Sequence, residues 1–336
     1  MARKTSVKKA AKKTAPKKKP AKSRDIVAAA LGGKPYPRDL YGYGPNPPDP
    51  QWPGGAKVAV SFVLNYEEGG ERSILHGDRE SETYLTEVPG GTPRRGMRDH
   101  TTESVYDYGA RAGVWRVLRL FAERDMKFTS WAVGMAVARN PEPARAMHEQ
   151  GHEVASHGWR WFDYANLPVA RERADMKLAI EAIRQATGQR PLGWYTGRIS
   201  ENTLKLVADD GGFVYSSDTY DDDLPYWTTV PGRKPQLILP YTFDNNDMKF
   251  GQLHGFATGV DYYNHVKDAF DMLYREGEQG APKMMTIALH CRLIGRPGRA
   301  AALARLMDYI QGHDKVWIAR RIDIAQHWLQ VHPYGG

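Results

Sequence analysis

The sequence predicts an α/β protein whose mostly parallel sheet closes toward a barrel. Three observations carry this reading. Residues 57–64, Lys-Val-Ala-Val-Ser-Phe-Val-Leu, are a short apolar run between Gly54-Gly55 and a polar cluster, the pattern of a strand buried on both faces. Beyond residue 100, strand-like and helix-like stretches alternate with short connections. A chain of 336 residues is also long enough for one large domain with a substantial core.

Taken in order, residues 1–25 read as a disordered lysine-rich tail and 26–336 as one barrel domain carrying an N-terminal extended arm. Residues 1–24 hold nine Lys, two Arg and no acid. With almost nothing apolar beyond Val7, such a segment cannot offset the entropy of ordering. The formal charge of +8 therefore belongs to the tail, because the other 36 basic residues face 39 acidic ones and leave the body at −3. Clustered lysines bind phosphates without sequence preference, so no specific nucleic-acid partner is expected. The tail weakly resembles a transit sequence, although Lys stands where such peptides favour Arg. No apolar run approaches the ~20 residues of a membrane span. Cys291 is the lone cysteine, which excludes an intrachain disulfide and points to a reducing, cytoplasmic setting.

Residues 36–55 are too rich in Pro and Gly for regular structure, and their aromatics predict an extended arm. After the first strand comes a long polar segment, 69–100, of the kind that is usually functional or an interface element. A helix over 104–124 follows, marked by the apolar spacing of Val105, Tyr108, Val114, Val117, Leu118 and Phe121. Further strands are predicted at 128–133, 153–156, 192–195, 213–216, 237–239, 284–289 and 316–318. Helices are predicted near 141–150, 168–187, 200–210, 262–278, 299–312 and 320–330.

In such folds chemistry sits at the carboxyl ends of the strands. Those positions hold Asn65, Glu67 and Glu68; His157, Trp159 and Trp161; Trp194, Tyr195 and Arg198; Asp218 and Tyr220; and His290, Cys291 and Arg292. Asn65 and Glu67 share a strand face, so Glu67 is expected inward and Glu68 behind it or at the surface. Asp218 either caps a turn or orients a pocket group, and the Asp221-Asp222-Asp223 run reads mainly as a solvated turn. The tryptophans suggest a walled pocket for a flat ligand. Cys291, adjacent to His290, points to the opposite face and is not expected to be a nucleophile.

The stretch from Gly151 to Trp161 nearly spells a metal site. Two imidazoles four residues apart would share a face, but the second position is Trp161, whose indole N–H is only a donor.

The frame Gly151-His-Glu-Val-Ala-Ser-His157 and the late Ala288-Leu-His290 resemble motifs of the polysaccharide deacetylase superfamily. Within it the chain resembles the metal-independent allantoinases, through Leu64-Asn-Tyr-Glu-Glu-Gly-Gly70, Ser156-His-Gly-Trp-Arg-Trp161, Pro191-Leu-Gly-Trp-Tyr-Thr-Gly-Arg198, the segment from Ser217 to Trp227 and that from Leu289 to Arg299. The resemblance spans roughly 36–330. It implies a distorted (β/α) barrel of the polysaccharide deacetylase type, a hydrolase opening the hydantoin ring of allantoin to allantoate in purine catabolism, no metal or other cofactor, and a homotetramer. In the superfamily's metal sites, acidic residues stand where Asn65 and Glu67 stand here, and His157 keeps the first metal imidazole's place while Trp161 replaces the second.

The catalytic candidates are Glu67, His157, His290 and Arg198. Water activation falls to Glu67 or His157, general acid work to His290, and oxyanion or ureido recognition to Arg198. The substrate-binding candidates are Asn65, Trp161, Trp194, Tyr195, Asp218 and Arg292. Two other readings stand beside this one: a metal-dependent polysaccharide or amide deacetylase, and a non-catalytic binding protein tethered by its tail.

Overall fold

The computed structural model describes residues 23–33 and 36–335. Most of the predicted lysine-rich tail therefore lies outside the described residues, while its last three positions open helix α1, Ser23–Ala30. The chain divides after Asn46 into two units. The first contains α1 and an irregular stretch over 36–46; everything below concerns the second, Pro47–Gly336.

Nine strands form one sheet among the described residues: β1 (Val58–Tyr66), β2 (Thr129–Ala132), β3 (Glu153–Ser156), β4 (Gly193–Trp194), β5 (Tyr215–Ser216), β6 (Tyr226–Thr228), β7 (Gln236–Ile238), β8 (Lys283–His290) and β9 (Val316–Ile318). Their order is β6-β7-β5-β4-β3-β2-β1-β8, parallel except for the β6/β7 pair, with β9 added to β1. β1 lies at the centre because every one of its residues is buried, as its unbroken apolar run requires. Of its residues, Val58 to Asn65 pair with β8, while its other edge is shared by β9 at Val58–Val60 and β2 at Val63–Tyr66.

Irregular backbone closes the remaining side. Leu239 N–H donates to the Ser216 carbonyl at 2.9 Å and Tyr241 N–H to that of Thr219 at 2.8 Å. The Asn245 carbonyl then accepts from Ala288 N–H at 2.9 Å, beside a parallel bridge between Asn246 and Ala288. The sheet curls into a distorted barrel, the α/β architecture expected from the alternation of elements.

The covering helices are α2 (His100–Tyr108), α3 (Val114–Ala122), α4 (Gly134–Arg139), α5 (Glu142–Glu149), α6 (Val169–Thr187), α7 (Thr203–Asp210), α8 (Gly259–Glu278), α9 (Pro297–Gln311) and α10 (Arg321–Val331). Capping residues fix several ends: Asp99 accepts from the N–H groups of Thr101 and Thr102, Thr258 and Asp261 form a reciprocal box, and Gly188 ends α6 with φ 77°. The helix predicted over 104–124 is present but interrupted by a π-helical turn at Gly109–Gly113. There the helix is drawn against the loop after β8, where a Cβ on Gly113 would overlap the Cys291 carbonyl. Strand β6 and helix α4 are absent from the sequence expectation, each being too short to display a period.

Inside the barrel sits Arg321, fully buried at the start of α10. Its guanidinium donates to Ser217 Oγ at 3.0 Å, Thr286 Oγ1 at 2.9 Å and the Pro240 carbonyl at 2.8 Å. These contacts tie the closing segment to the strands and satisfy a cation that would otherwise be costly to bury. Within the same unit, Trp52 is buried with Nε1 on the Lys283 carbonyl at 3.1 Å, which anchors the end of the predicted arm. No helix among the described residues is long and apolar enough to cross a membrane.

Candidate active site

The carboxyl ends of the strands surround a small cleft of about 80 Å³, lined by Asn65, Glu67, Tyr84, Leu85, His157, Trp161, Tyr195, Arg198, Tyr241, Asn246 and His290 among others. Seven of the ten residues singled out in the sequence therefore meet in one place. Asn65 and Glu67 leave the end of β1 on the same face, as strand alternation requires. Asn65 Nδ2 donates to Tyr241 Oη at 2.9 Å and to the Leu289 carbonyl at 3.0 Å.

Glu67 is the hub. Its Oε2 accepts from Arg292 Nη1 at 2.7 Å, and its Oε1 lies 3.3 Å from His157 Nε2 and 3.5 Å from His290 Nε2. Burial by itself would raise the carboxyl, but Arg292, His290 and His157 outweigh it and hold Glu67 well below the usual carboxylate range. Glu67 is thus an ionised carboxylate set between two imidazoles.

His290 is fixed from behind. Its Nδ1 lies 2.6 Å from Asp247 Oδ1, while the backbone N–H groups of His290 and Ile294 donate to Asp247 Oδ2 at 2.8 and 3.0 Å. With Nδ1 held by a carboxylate, Nε2 faces Glu67 and the cleft. Burial would lower the imidazole, but the charges of Glu67 and Asp247 prevail and raise it. Behind Glu67, burial and the neighbouring Glu67 charge lift the Glu68 carboxyl to about 7 against the pull of Arg292. Glu68 is buried rather than at the surface, with Oε1 3.6 Å from Arg292 Nη1.

Aromatic rings wall the cleft. Trp161 stacks on Tyr84 with centroids 5.7 Å apart, and the Arg198 guanidinium lies 4.8 Å from the Trp161 ring. Arg198 lines the cleft, and its buried Nη2 has no hydrogen-bond partner among the protein's atoms. Tyr195 packs on His157 at 4.9 Å and bonds Tyr220 through their hydroxyls at 3.0 Å.

Three of the substrate-binding candidates do not line the cleft. Trp194 does not wall the cleft: successive residues of extended chain face opposite ways, so Tyr195, just past the end of β4, turns inward and Trp194 packs with Met176, Leu206, Val207 and Phe213 beneath α6 and α7. Asp218 lies behind the cleft, where Oδ1 accepts from Thr196 N–H at 2.8 Å and Gly197 N–H at 2.7 Å. It shapes the turn that presents Tyr195 and Arg198, and burial lifts its carboxyl to about 6 against those N–H donors. Arg292 is fully buried beneath Glu67, its guanidinium 4.4 Å from the Tyr106 ring and 5.0 Å from that of Trp161, so it supports the cleft without lining it.

The sequence reading missed Asp247, Tyr84, Leu85 and Tyr241. Asp247 closes the polar run Asn245-Asn246-Asp247 after β7, a signal of the same kind as the others but displaced by eight residues of irregular chain. Tyr84 and Leu85 come from the long polar segment, whose path no periodicity reveals.

The superfamily's divalent metal does not fit this donor set. One Glu67 oxygen is taken by a buried guanidinium, which would repel a second cation, and Trp161 offers no lone pair. Among the described residues no group of three or more His, Cys, Asp or Glu is arranged to hold a metal ion.

Fold and site together define a hydrolase of the polysaccharide deacetylase class, and the relatives agree. Residues 94–213 match the polysaccharide deacetylase family. A Schizosaccharomyces pombe protein named "Putative polysaccharide deacetylase" is 48% identical over 316 residues, covering 88% of this chain and 98% of its own length. The chain belongs to the polysaccharide deacetylase superfamily. Among solved structures it resembles PuuE allantoinase at 57% identity, covering 90% of this chain and 100% of that one with a TM-score of 0.87. A Pseudomonas aeruginosa PAO1 structure titled "probable Polysaccharide deacetylase" is similar at 58% identity, covering 89% and 100%, with a TM-score of 0.86.

Proposed function

We propose that the chain is an allantoinase, hydrolysing the hydantoin ring of allantoin to allantoate without a bound metal. The observation that carries this is the replacement of a metal-ligand set by a buried Arg292–Glu67 pair with Trp161 beside it, in a cleft of about 80 Å³ suited to a small flat ring. The 57% identity to PuuE allantoinase supports the same substrate.

In this reading water attacks the ring amide carbonyl and gives its proton to the His157 imidazole, whose Nε2–H stays on Glu67 Oε1. The depressed carboxyl of Glu67 argues against that residue as the base. Glu67 instead orients both imidazoles and stabilises the imidazolium that forms. The unpartnered Arg198 Nη2 meets the developing oxyanion. His290, raised by Glu67 and Asp247, carries the proton that the departing ring nitrogen takes as the C–N bond breaks. Asn65, Trp161 and Tyr195 hold the ring. Tetrameric assembly and a cytoplasmic setting accompany the proposal, the first on the family resemblance and the second on the single cysteine.

The names of the Schizosaccharomyces pombe and Pseudomonas aeruginosa relatives favour a second reading, deacetylation of an N-acetylated sugar. One experiment separates the two. Chelator-treated protein, with its metal content measured, and the same protein after Zn²⁺ is added back are each offered racemic allantoin and N-acetylglucosamine oligomers. Ureido-acid formation without metal supports the proposal; acetate release from the oligomers, with no turnover of allantoin, rejects it.

A further inference from the structure

Leu85 has φ 54° and Glu87 φ 58°, so two non-glycine residues of one short segment occupy the left-handed region. Neither Leu nor Glu has a local hydrogen-bonding reason to be there, unlike Asn or Asp. Such a conformation persists only where its surroundings over-determine it, and such sites cluster where function needs them. Here the surroundings are explicit. Glu82 Oε1 accepts from the N–H groups of Thr83 and Tyr84, both at 2.9 Å, and the Tyr84 carbonyl accepts from Tyr106 Oη at 3.1 Å. Beyond the turn, Arg299 pairs with Glu87.

The twisted backbone achieves two things at once. It turns the Leu85 carbonyl onto Arg292 Nε at 3.2 Å, so the guanidinium that holds Glu67 is fixed from a second side. It also leaves Leu85 in the cleft wall, buried to 4% exposure beside Gly251 and within the same apolar cluster as Tyr106, Trp161 and Met248. Glycine would supply that backbone without strain, but it would leave the wall open.

We infer that Leu85 is a specificity-determining residue: its left-handed turn places a carbonyl on Arg292 and an isobutyl group in the cleft wall, and that group limits the size of the ring substituent the site accepts. The inference deepens the proposed function and rests on it.

The test uses the full chain carrying Leu85→Gly or Leu85→Ala. Both remove most of the side chain, but only glycine relieves the backbone, so the glycine variant should melt at the higher temperature. The reverse order overturns the strained turn, and the inference with it. Size selection is read as kcat/KM for 5-benzylhydantoin divided by that for allantoin, which should rise by about tenfold or more in Leu85→Gly. A ratio within about twofold of the wild type overturns the inference. N-acetylglucosamine dimers and tetramers are run in parallel. A wild type that cleaves only these ends the allantoin reading, while the tetramer-to-dimer ratio still reports on Leu85. A wild type inert toward every substrate overturns both.

Discussion

Arg292 allows the sharpest calculation. It has no exposed surface, donates to Glu67 Oε2 at 2.7 Å and to the Leu85 carbonyl at 3.2 Å, and lies 4.4 Å from the Tyr106 ring. Replacing it by methionine keeps much of the volume and removes the charge. Glu67 is then buried with its strongest counter-charge gone, and breaking such a pair from one side costs about 3–5 kcal/mol. Against a total stability of about 5–15 kcal/mol, that is a large share. The cost comes from the orphaned carboxylate, so Glu67→Gln in the same chain should recover part of it. The double variant should be more stable than the two single losses together predict, by about 2 kcal/mol. Urea denaturation at neutral pH, comparing midpoints at constant m, measures the cycle. Single losses that simply add to within about 0.5 kcal/mol would show that Arg292 and Glu67 are not coupled, and the account of the site as a buried ion pair in the metal's place would fail.

Two other variants probe the groups around this pair. Asn at position 247 cannot accept at both oxygens, and Asp247 serves His290 Nδ1 through one and two backbone N–H groups through the other. Asp247→Asn should therefore slow turnover by about 10²–10⁴. It should also lower the His290 titration seen by NMR, since Asp247 is one of the charges that raise it; an unmoved titration would remove Asp247 from the mechanism. Glu68, lifted from 4.5 to about 7, keeps its proton in the folded chain where the unfolded chain has released it. Its contribution is fully present below about pH 4.5 and is lost as pH rises through about 7, so wild type should lose stability relative to Glu68→Gln between about pH 4.5 and pH 7. Parallel stability curves over that range would contradict the burial argument.

Legibility followed the physics of each element. Strands β3 and β9 and helices α5, α6 and α10 matched their predicted spans to within about two residues, because burial pattern and punctuation mark them locally. The same local signal placed Glu67 and His290 correctly at the ends of β1 and β8, which neighbour each other in register. Trp194 shows the limit. Strand β4 is two residues long, too short for alternation to reveal which of Trp194 and Tyr195 faces inward. Asp218 and Arg292 stand behind the cleft rather than in it, and a residue behind a site and a residue in it look alike in a sequence.

By itself, then, the sequence determined the α/β class, the central buried strand and the chemical types gathered at the strand ends, and Trp161 in place of a ligand. Those are properties of composition and period along the chain. The tertiary structure decided the rest: that Arg292 pairs with Glu67 across a sequence separation of 225, that Asp247 fixes His290, and that Tyr84 and Leu85 wall the cleft. The reason is that a buried charge is stabilised by whichever partner reaches it in space, and irregular segments carry no repeat from which that reach could be read.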